Sequence, residues 1–315
     1  MKKVIIDVDT GVDDALALSY AINSKDLEVI GITTCHGNVS VENATNNTSY
    51  LLDVLNRSDI PIAQGASHPI FKKRTKDFST HFHGPKGLGE IDTSKVVNQQ
   101  TQRDATTFLT EMIRKYPHEI TFISLGSLTN LAKLILQNPD IVPLIKEVII
   151  MGGAVTVPGN QTMHAEANIL ADPEAANIVV HAGLNITLVG LDVTMQSEIG
   201  LDDLKRWKAK DSKHANLIAD ITKYYIENGY NVFSDDRVTY NHCSLHDPLA
   251  VAVAIDDTLV KKVPLYVTVD LEGVHSYART VPDMRKGQSN KPNMNVCLEV
   301  DSNRFVDHFL MTVTK

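Results

Sequence analysis

The chain has 315 residues, and 43% of them are hydrophobic, which is enough to bury a sizeable core in one large domain or two small ones. Its 30 basic and 38 acidic residues give a formal net charge of −8, which disfavours nucleic acid and anionic membranes as partners. The sequence has no apolar stretch long enough to span a membrane and only 3 scattered cysteines, and its short N-terminal apolar run is not expected to act as a signal peptide. We therefore expect a cytoplasmic protein without disulfides.

Short apolar runs alternate with helical patterns along the first two thirds of the chain. The runs are continuously apolar, which is typical of strands buried on both faces of a parallel sheet. The pattern therefore predicts an open α/β sheet with helices on both faces. In the last helix of this part, Asp172 is the expected N-cap and Gly183 the expected C-terminal end. The predicted strands are 2–8, 27–34, 120–125, 147–153 and 185–193, and the predicted helices between them are 13–23, 40–56, 127–139 and 172–183.

The last third of the chain is less regular. Two further strands, 263–271 and 295–300, are predicted near the end, antiparallel and at an edge of the sheet. No linker or repeat interrupts the pattern, so we expect a single domain over residues 1–315, with an open, mostly parallel sheet and extra C-terminal strands and helices. Two loops, 67–97 and 228–245, have a length that usually indicates function or mobility. Further helices are predicted at 201–210, 214–230, 246–255 and 301–313.

Acidic side chains crowd at the end of the first predicted strand. Asp7, Asp9, Asp13 and Asp14 place four carboxylates within eight residues. In an open α/β sheet, ligands bind beyond the carboxyl ends of the strands, which is where these residues stand. Like charges at this spacing repel each other, and that costs free energy unless a cation lies among them.

Four other segments deliver polar groups to the same predicted edge of the sheet. Each residue also has a plain structural explanation: Asp13 or Asp14 can cap the first helix, Asp247 can cap a later one before Pro248, and asparagines are common in turns. These explanations leave the N-terminal charge cluster unexplained, so a shared site accounts better for the whole set. The residues in the four segments are Asn38; Leu125 and Gly126; Asn160, His164, Glu166 and Asn168; and His246 and Asp247.

Two common uses of clustered aspartates can be compared with the sequence. An EF-hand loop that begins at Asp7 needs an oxygen ligand at its fifth position and Glu at its twelfth, where the chain has Gly11 and Leu18, so this use fails. A haloacid-dehalogenase-type phosphatase has Asp-x-Asp-x-Thr/Val after its first strand. Residues 7–10 begin that motif well, but Gly11 stands where Thr or Val is required. The acidic pair of that family could be imitated by FSDDR at 233–237.

The segment DVDTGVDDALAL at 7–18 resembles the N-terminal signature of nucleoside hydrolases of the inosine–uridine-preferring family. The usual signature is Asp-x-Asp-Pro-Gly-x-Asp-Asp, and Thr10 stands here in place of the proline. The resemblance continues in order and spacing along nearly the whole chain, which makes it highly specific. The other matching segments are HGN at 36–38, HGPKGLG at 83–89, GSLTNLA at 126–132, MGGAV through DPEAA at 151–176, and HDPLA at 246–250.

The resemblance implies an enzyme that hydrolyses the N-glycosidic bond of ribonucleosides to free base and ribose with a tightly held Ca²⁺. The metal ligands in this sequence would be Asp9, Asp14, Asp247 and the backbone carbonyl of Leu125, and such oxygen-only ligation suits a hard cation. Asp9 would also deprotonate the water on the Ca²⁺. His246 would serve the leaving base as proton or hydrogen-bond donor, because a histidine titrates in the useful range.

The resemblance also assigns the groups that hold the ribose. Carboxylates and amides suit this task, since they bind diols and stabilise the positive charge that develops as the bond breaks. His83 would lie near the sugar or the base, whereas His36, His81 and His164 are interpreted as structural. The residues implied to bind substrate are Asp13 at the 2′-hydroxyl, Asp247 and Asn168 near the 3′-hydroxyl, and Glu166, Asn160 and Asn38 around the sugar.

The sequence indicates the base preference and the oligomeric state less directly. Five aromatic side chains in and before the loop that leads to His246 could stack on a base, although the first two could equally pack a helix into the core. We expect a broad or pyrimidine-leaning preference, and a homodimer or homotetramer because family members are commonly oligomers. A non-catalytic nucleoside- or ribose-binding protein is the alternative, but binding alone would not require the full acid set. The aromatic residues are Tyr224, Tyr225, Tyr230, Phe233 and Tyr240.

Overall fold

A single large sheet dominates the computed structural model of the chain. The structure describes residues 1–71, 78–93, 103–229, 241–287 and 289–315. Its strands are β1 (Lys2–Val8), β2 (Leu27–Thr34), β3 (Ile62–Gln64), β4 (Thr121–Ser124), β5 (Glu147–Met151), β6 (Ile186–Val189), β7 (Glu198–Gly200), β8 (His242–Ser244), β9 (Val260–Val269), β10 (Thr280–Asp283) and β11 (Met294–Val300). Among the described residues, nine strands form the large sheet in the order β10-β9-β11-β6-β5-β4-β1-β2-β3, and β7 and β8 form a separate ribbon.

The large sheet is parallel over most of its width. β1 pairs in parallel with β2 and β4, and the parallel pairing continues through β5 and β6 to β11. β9 runs antiparallel to both β11 and β10 and so places the antiparallel strands at one edge. The prediction of an open, mostly parallel sheet with antiparallel C-terminal strands at an edge is confirmed.

Helices cover both faces of the sheet. The neighbouring residues Ile5 and Ile6 of β1 belong to different apolar clusters, which means that both faces of this strand are buried. The helices of the described residues are α1 (Val12–Asn23), α2 (Val41–Val54), α3 (Thr80–His83), α4 (Ala105–Lys115), α5 (Thr129–Gln137), α6 (Ala167–Ala171), α7 (Pro173–Val180), α8 (Leu191–Thr194), α9 (Leu201–Lys208), α10 (Lys213–Tyr224), α11 (His246–Ile255) and α12 (Ser302–Thr312).

Two of these helices bring distant parts of the sequence together. α1 and α11 pack against each other, and α11 also contacts β4 and β5. α1 starts directly after β1, at the carboxyl edge of the sheet. The N-terminal turns of the two helices meet there, because carboxylate oxygens of Asp14 and Asp247 lie within 4.8 Å of each other.

One predicted strand is shorter than expected. The sequence predicted a strand over 185–193, but β6 stops before Gly190, and α8 begins directly after it. The carboxylate of Asp192 accepts hydrogen bonds from the backbone N–H groups of Val155 (2.8 Å) and Thr156 (2.7 Å). This buried carboxylate therefore anchors a neighbouring loop from a helical turn, which the apolar character of the flanking residues did not reveal.

Two more features bear on the expected cellular setting. In the described part of the chain, every helix is too short or too polar to cross a lipid bilayer. Cys35, Cys243 and Cys297 are buried free thiols, in agreement with their interpretation as small apolar core residues.

Candidate active site

The turn from β1 into α1 is shaped by Asp14. One carboxylate oxygen of Asp14 accepts a hydrogen bond from the backbone N–H of Asp9 (3.2 Å), and the other accepts one from the N–H of Gly11 (2.9 Å), which is the N-cap of the helix. The carboxylate thus satisfies N–H groups that the helix itself leaves without partners. The structural role considered for this aspartate is real, and it fixes the position of Asp9 at the same time.

Asp9 is held from the opposite side by the loop after β2. The backbone N–H of Asn38 donates to Oδ2 of Asp9 (2.6 Å), and the side-chain amide of Asn38 donates to Oδ1 of Asp9 and to Oδ2 of Asp14, both at 3.3 Å. The loop approaches so closely that a Cβ on Gly37 would lie 1.7 Å from Oδ2 of Asp9. Only glycine fits at that position, so the glycine of HGN is explained by the close approach of this loop to the carboxylate of Asp9.

Three buried carboxylates form the acidic cluster of the site, defined here as Asp13, Asp14 and Asp247. One oxygen from each lies within 4.8 Å of the others. Burial, followed by repulsion from neighbouring carboxylates, raises the pKa of Asp13 and of Asp14 to about 7 and raises the pKa of Asp247 well above its usual range. The alternative in which Asp247 caps α11 is not supported, because the helix has Leu245 at its N-cap without a side-chain cap hydrogen bond.

The acidic cluster fits a divalent cation. Oδ2 of Asp247 is buried and has no hydrogen-bond partner among the described residues, which is costly unless an ion or ligand satisfies it. The donors are carboxylate oxygens, as a hard cation requires. The cluster includes Asp13, which the resemblance assigns to the sugar, while Asp9 is fully buried and accepts a hydrogen bond from the N–H of Asn38.

The carbonyl of Leu125 lies at the end of β4 and faces α6. The side-chain amide of Asn168 donates to this carbonyl (2.7 Å) and to the carbonyl of Met151 (3.2 Å), so it ties two neighbouring strand ends together. Asn168 is itself fixed by Glu166, whose Oε1 accepts from the N–H of Asn168 (2.9 Å). Oε2 of Glu166 accepts from the N–H groups of Gly153 (3.0 Å) and Ile169 (3.1 Å), so Glu166 also caps α6.

The imidazole of His246 lies at the start of α11. Its Nδ1 is 2.8 Å from the hydroxyl oxygen of Thr194 in α8. Burial lowers the pKa of His246 to about 4, so the ring is neutral at pH 7 in the free protein. When the Thr194 hydroxyl donates to Nδ1, the ring proton is on Nε2. The neutral His246 then offers Nε2 as a hydrogen-bond donor, which is the second of the two roles that the sequence suggested.

His83 joins the start of α1 to an aromatic group. Its Nδ1 accepts a hydrogen bond from the N–H of Val12 (3.2 Å) and lies 3.8 Å from a carboxylate oxygen of Asp13. The ring stacks on Tyr225, with centroids 5.1 Å apart and planes at 24°. Of the two neighbouring tyrosines, Tyr225 therefore enters the site, whereas Tyr224 packs beside Gly89.

A cavity of about 340 Å³ at this edge of the sheet brings most of the expected residues together. Asp9 and Asp14 lie buried next to it, while Asn160 at its rim accepts a hydrogen bond from the N–H of Ala167 (3.0 Å). Tyr230, Phe233 and Tyr240 fall outside the described residues. The expected residues in its lining are Asp13, Asn38, His83, Leu125, Asn160, Glu166, Asn168, His246 and Asp247.

Sequence reasoning missed other residues of the lining. Two of them, Met195 and Glu198, follow β6 at the same edge of the sheet, so the rule used for the other strands could have found them. The prediction of a strand through 193 obscured that signal. The histidines interpreted as structural include His36, which is fully buried with its Nε2 3.1 Å from the hydroxyl oxygen of Thr129. The additional lining residues are Ser79, Phe82, Met151, Gln161, Ala167, Met195, Glu198 and Ser244.

Comparisons with known proteins agree with this geometry. The model of the inosine-uridine preferring nucleoside hydrolase family matches residues 4–307. The chain is 36% identical over 275 residues to uridine nucleosidase 1 of Arabidopsis thaliana, covering 87% of this chain and 80% of that protein. It is 33% identical over 304 residues to the pyrimidine-specific ribonucleoside hydrolase RihA of Escherichia coli, covering 96% of each. The solved structure of a purine-preferring ribonucleoside hydrolase from Gardnerella vaginalis superposes with a TM-score of 0.93 at 35% identity, covering 99% of this chain and 98% of that one.

The chain therefore belongs to the inosine-uridine preferring nucleoside hydrolase family, a metal-dependent family of enzymes, and it hydrolyses ribonucleosides. The resemblance drawn from the sequence motifs is confirmed over nearly the full length. The phosphatase and the non-catalytic binding protein find no support in these comparisons.

Proposed function

We propose that the enzyme cleaves the N-glycosidic bond of its nucleoside with the help of a Ca²⁺ held by Asp9, Asp14, Asp247 and the carbonyl of Leu125. The observation that carries this proposal is the buried acidic cluster, with the partnerless oxygen of Asp247 at the edge of a cavity of suitable size. A bound cation would offset the repulsion between the carboxylates and would acidify a coordinated water.

Asp9 is the proposed general base. Asn38 directs donors at both of its oxygens and so fixes the carboxylate in one orientation. A carboxylate that is held in this way can take a proton from a water without first reorganising. Asp13, which lies at the cavity surface, is proposed to accept a hydrogen bond from the 2′-hydroxyl of the ribose.

The remaining polar groups are proposed to hold the ribose. As the glycosidic bond breaks, positive charge develops on the sugar, and nearby carboxylates and amide oxygens stabilise it. Glu166 and Asn168 are buried, and the carboxylate of Glu166 accepts hydrogen bonds from N–H groups at the start of α6, including that of Asn168. These bonds hold both side chains in fixed positions. The proposed sugar-binding set is Asp13, Asn38, Asn160, Glu166, Asn168 and Asp247, with His83 next to it.

The leaving base is proposed to depart toward His246. Thr194 fixes the ring of His246 from its Nδ1 side, so that Nε2 can donate a hydrogen bond to the base. We further propose a broad or pyrimidine-leaning preference for the base. The relatives named as a uridine nucleosidase and a pyrimidine-specific hydrolase support a pyrimidine preference, whereas the structural relative named as purine-preferring favours a broad one. A single domain over residues 1–315, a homodimer or homotetramer and a cytoplasmic location complete the proposal, the last supported by the free thiols.

A panel of ribonucleosides tests the proposed function. The purified protein, with its metal content measured by elemental analysis, is incubated separately with uridine, cytidine, inosine and adenosine, and the released ribose is assayed as reducing sugar. We expect ribose from at least one pyrimidine nucleoside and calcium at one ion per chain. Calcium-loaded protein that releases no ribose from any of the four substrates would refute the proposal.

A further inference from the structure

We propose that Glu198 recognises the nucleobase by accepting a hydrogen bond from an exocyclic amino group, and so favours cytidine over uridine and adenosine over inosine. This inference rests on the proposed function, because it takes the base to lie on the side of the cavity where His246 stands. It assigns a chemical task to a carboxylate that belongs neither to the acidic cluster nor to the sugar-binding set.

The ribbon of β7 and β8 presents Glu198 to the cavity. Glu198 is paired directly with Ser244 in this antiparallel ribbon, and both residues line the cavity. Side chains of directly opposed residues project from the same face of such a pair, so the cavity lies on that face. The backbone N–H of Leu245 donates to the carbonyl of Ser197 (2.8 Å). The pairing of the two segments therefore continues up to the residue before His246.

This part of the cavity is the proposed base end. His246 follows Ser244 by two residues and is fixed by Thr194, which precedes Glu198 by four. Met195, an exposed apolar side chain of the same segment, also lines the cavity and suits contact with a flat ring. The carboxylates assigned to the metal and sugar come instead from the turn between β1 and α1, from α1 and α11, and from the N-cap of α6.

Glu198 differs from the other acidic residues of the lining in its exposure and in its hydrogen bonding. Asp13, Glu166 and Asp247 are buried, and the first two accept backbone hydrogen bonds. Glu198 is exposed, and within the described residues no hydrogen bond or ion pair occupies its carboxylate. An ionised carboxylate only accepts hydrogen bonds, so its partner on the substrate must be a donor.

The nucleobases differ at the positions that such a carboxylate would read. Cytosine and adenine carry an amino group where uracil and hypoxanthine carry a carbonyl oxygen. An N–H donor facing the carboxylate gives a charge-assisted hydrogen bond, whereas a carbonyl oxygen facing it gives repulsion. The two pairs keep the ring size constant, so each isolates the exchange of an amino group for an oxygen.

The test compares kcat/KM ratios for the matched pairs in the wild-type enzyme and in Glu198→Gln. Glutamine keeps the size of the side chain but can donate to a carbonyl as well as accept from an amino group. We expect the cytidine/uridine and adenosine/inosine ratios each to fall about five-fold, equivalent to about 1 kcal/mol. Glu198→Ala should move both ratios in the same direction, because it also removes the acceptor.

The control is Glu272→Gln, which makes the same charge change at an exposed residue outside the cavity and should leave both ratios unchanged. Ratios that move less than two-fold in both Glu198 variants, with uridine or inosine still hydrolysed, would overturn the role of Glu198 and leave the hydrolase function standing. Loss of all ribose release in the wild-type enzyme would instead be a failure of the proposed function.

Discussion

Asp9 is the residue on which the proposed chemistry depends most directly. Replacing it by alanine removes the proposed proton acceptor and one proposed metal ligand, and we expect kcat/KM for uridine to fall by about 100-fold or more. Asp26→Ala, which removes an exposed carboxylate between α1 and β2, is the matched control and should keep full activity. An Asp9→Ala enzyme that retains a tenth of the wild-type rate, a loss of only about 1.4 kcal/mol in transition-state stabilisation, would contradict the role of base.

His214 gives a residue-scale prediction about pH. Its Nε2 lies 3.0 Å from the hydroxyl oxygen of Ser19, and burial, together with the charge of Lys210, lowers its pKa to about 4. The unfolded chain, with an ordinary histidine pKa of about 6.5, therefore binds a proton at a higher pH than the folded chain does. The stability that neutral His214 contributes is complete above about pH 6.5 and is lost as the pH falls toward 4.

The comparison with His214→Gln isolates this contribution. The difference in free energy of unfolding between wild type and variant, measured by urea titration, should shrink as the pH falls from 7 to 4. Its slope should not exceed about 1.4 kcal/mol per pH unit, the value for one proton. A difference that stays constant over this range would mean that the folded protein protonates His214 as readily as the unfolded chain does.

At the scale of elements, two glycines lie in the segments that follow a strand and a helix, and each is required for a different reason. Gly37 follows β2, and an added Cβ would meet the Asp9 carboxylate at 1.7 Å. Gly183 follows α7 with φ of +79°, and nothing lies within 4 Å of an added Cβ. Gly183→Ala should lower the free energy of unfolding by about 1 kcal/mol through backbone strain and keep kcat/KM.

Gly37→Ala should instead lower the activity and leave the fold native. The clash displaces Asp9, so we expect kcat/KM to fall more than ten-fold in a variant whose circular dichroism spectrum is native. Both variants are measured by urea titration and with the same nucleoside assay. Equal activity in the two variants would show that the loop after β2 tolerates displacement and does not position the base.

The elements that the sequence predicted correctly are those with a local cause. β1 and β2 occupy the predicted residues because each contains a short apolar run, 4–6 in β1 and 29–32 in β2, next to polar residues. The N-cap Asp172 was recognisable because it precedes a proline, and its carboxylate does accept the N–H of Ala175 at 3.1 Å. Asp192 could not be interpreted in this way, because its partners lie 36 and 37 residues away and exist only after folding.

The same distinction applies to the site. Residues that follow a strand directly, such as Asp13 and Asn38, could be assigned to the carboxyl edge from strand order alone. The membership of Asp13 in the acidic cluster depends on side-chain positions that spacing does not specify. Glu198 lines the cavity from the ribbon of β7 and β8, and Tyr225 lines it from a π-helical turn (Tyr225–Gly229). Neither segment has a periodic pattern of its own.

At the scale of the whole molecule, the acidic cluster links parts of the chain that are far apart in sequence. Asp13 and Asp14 come from the N-terminal helix, and Asp247 comes from the helix that packs against it more than 200 residues later. In the absence of a cation, repulsion between these buried charges opposes the contact between α1 and α11. A cation that binds only the folded chain stabilises it by about 2.7 kcal/mol at a concentration 100-fold above its Kd.

Removal of the metal should therefore lower the melting temperature of the entire protein. We expect dialysis against EGTA to lower Tm by roughly 5 °C or more, and added Ca²⁺ to restore it. Asp247→Asn should abolish the response to Ca²⁺ while raising Tm of the metal-free protein, because one charge leaves the repulsive cluster. Asp202→Asn, at an exposed position on α9, should keep the full response. A Tm that is independent of Ca²⁺ in the wild-type protein would mean that the three carboxylates do not hold this ion, because binding confined to the folded state must stabilise that state.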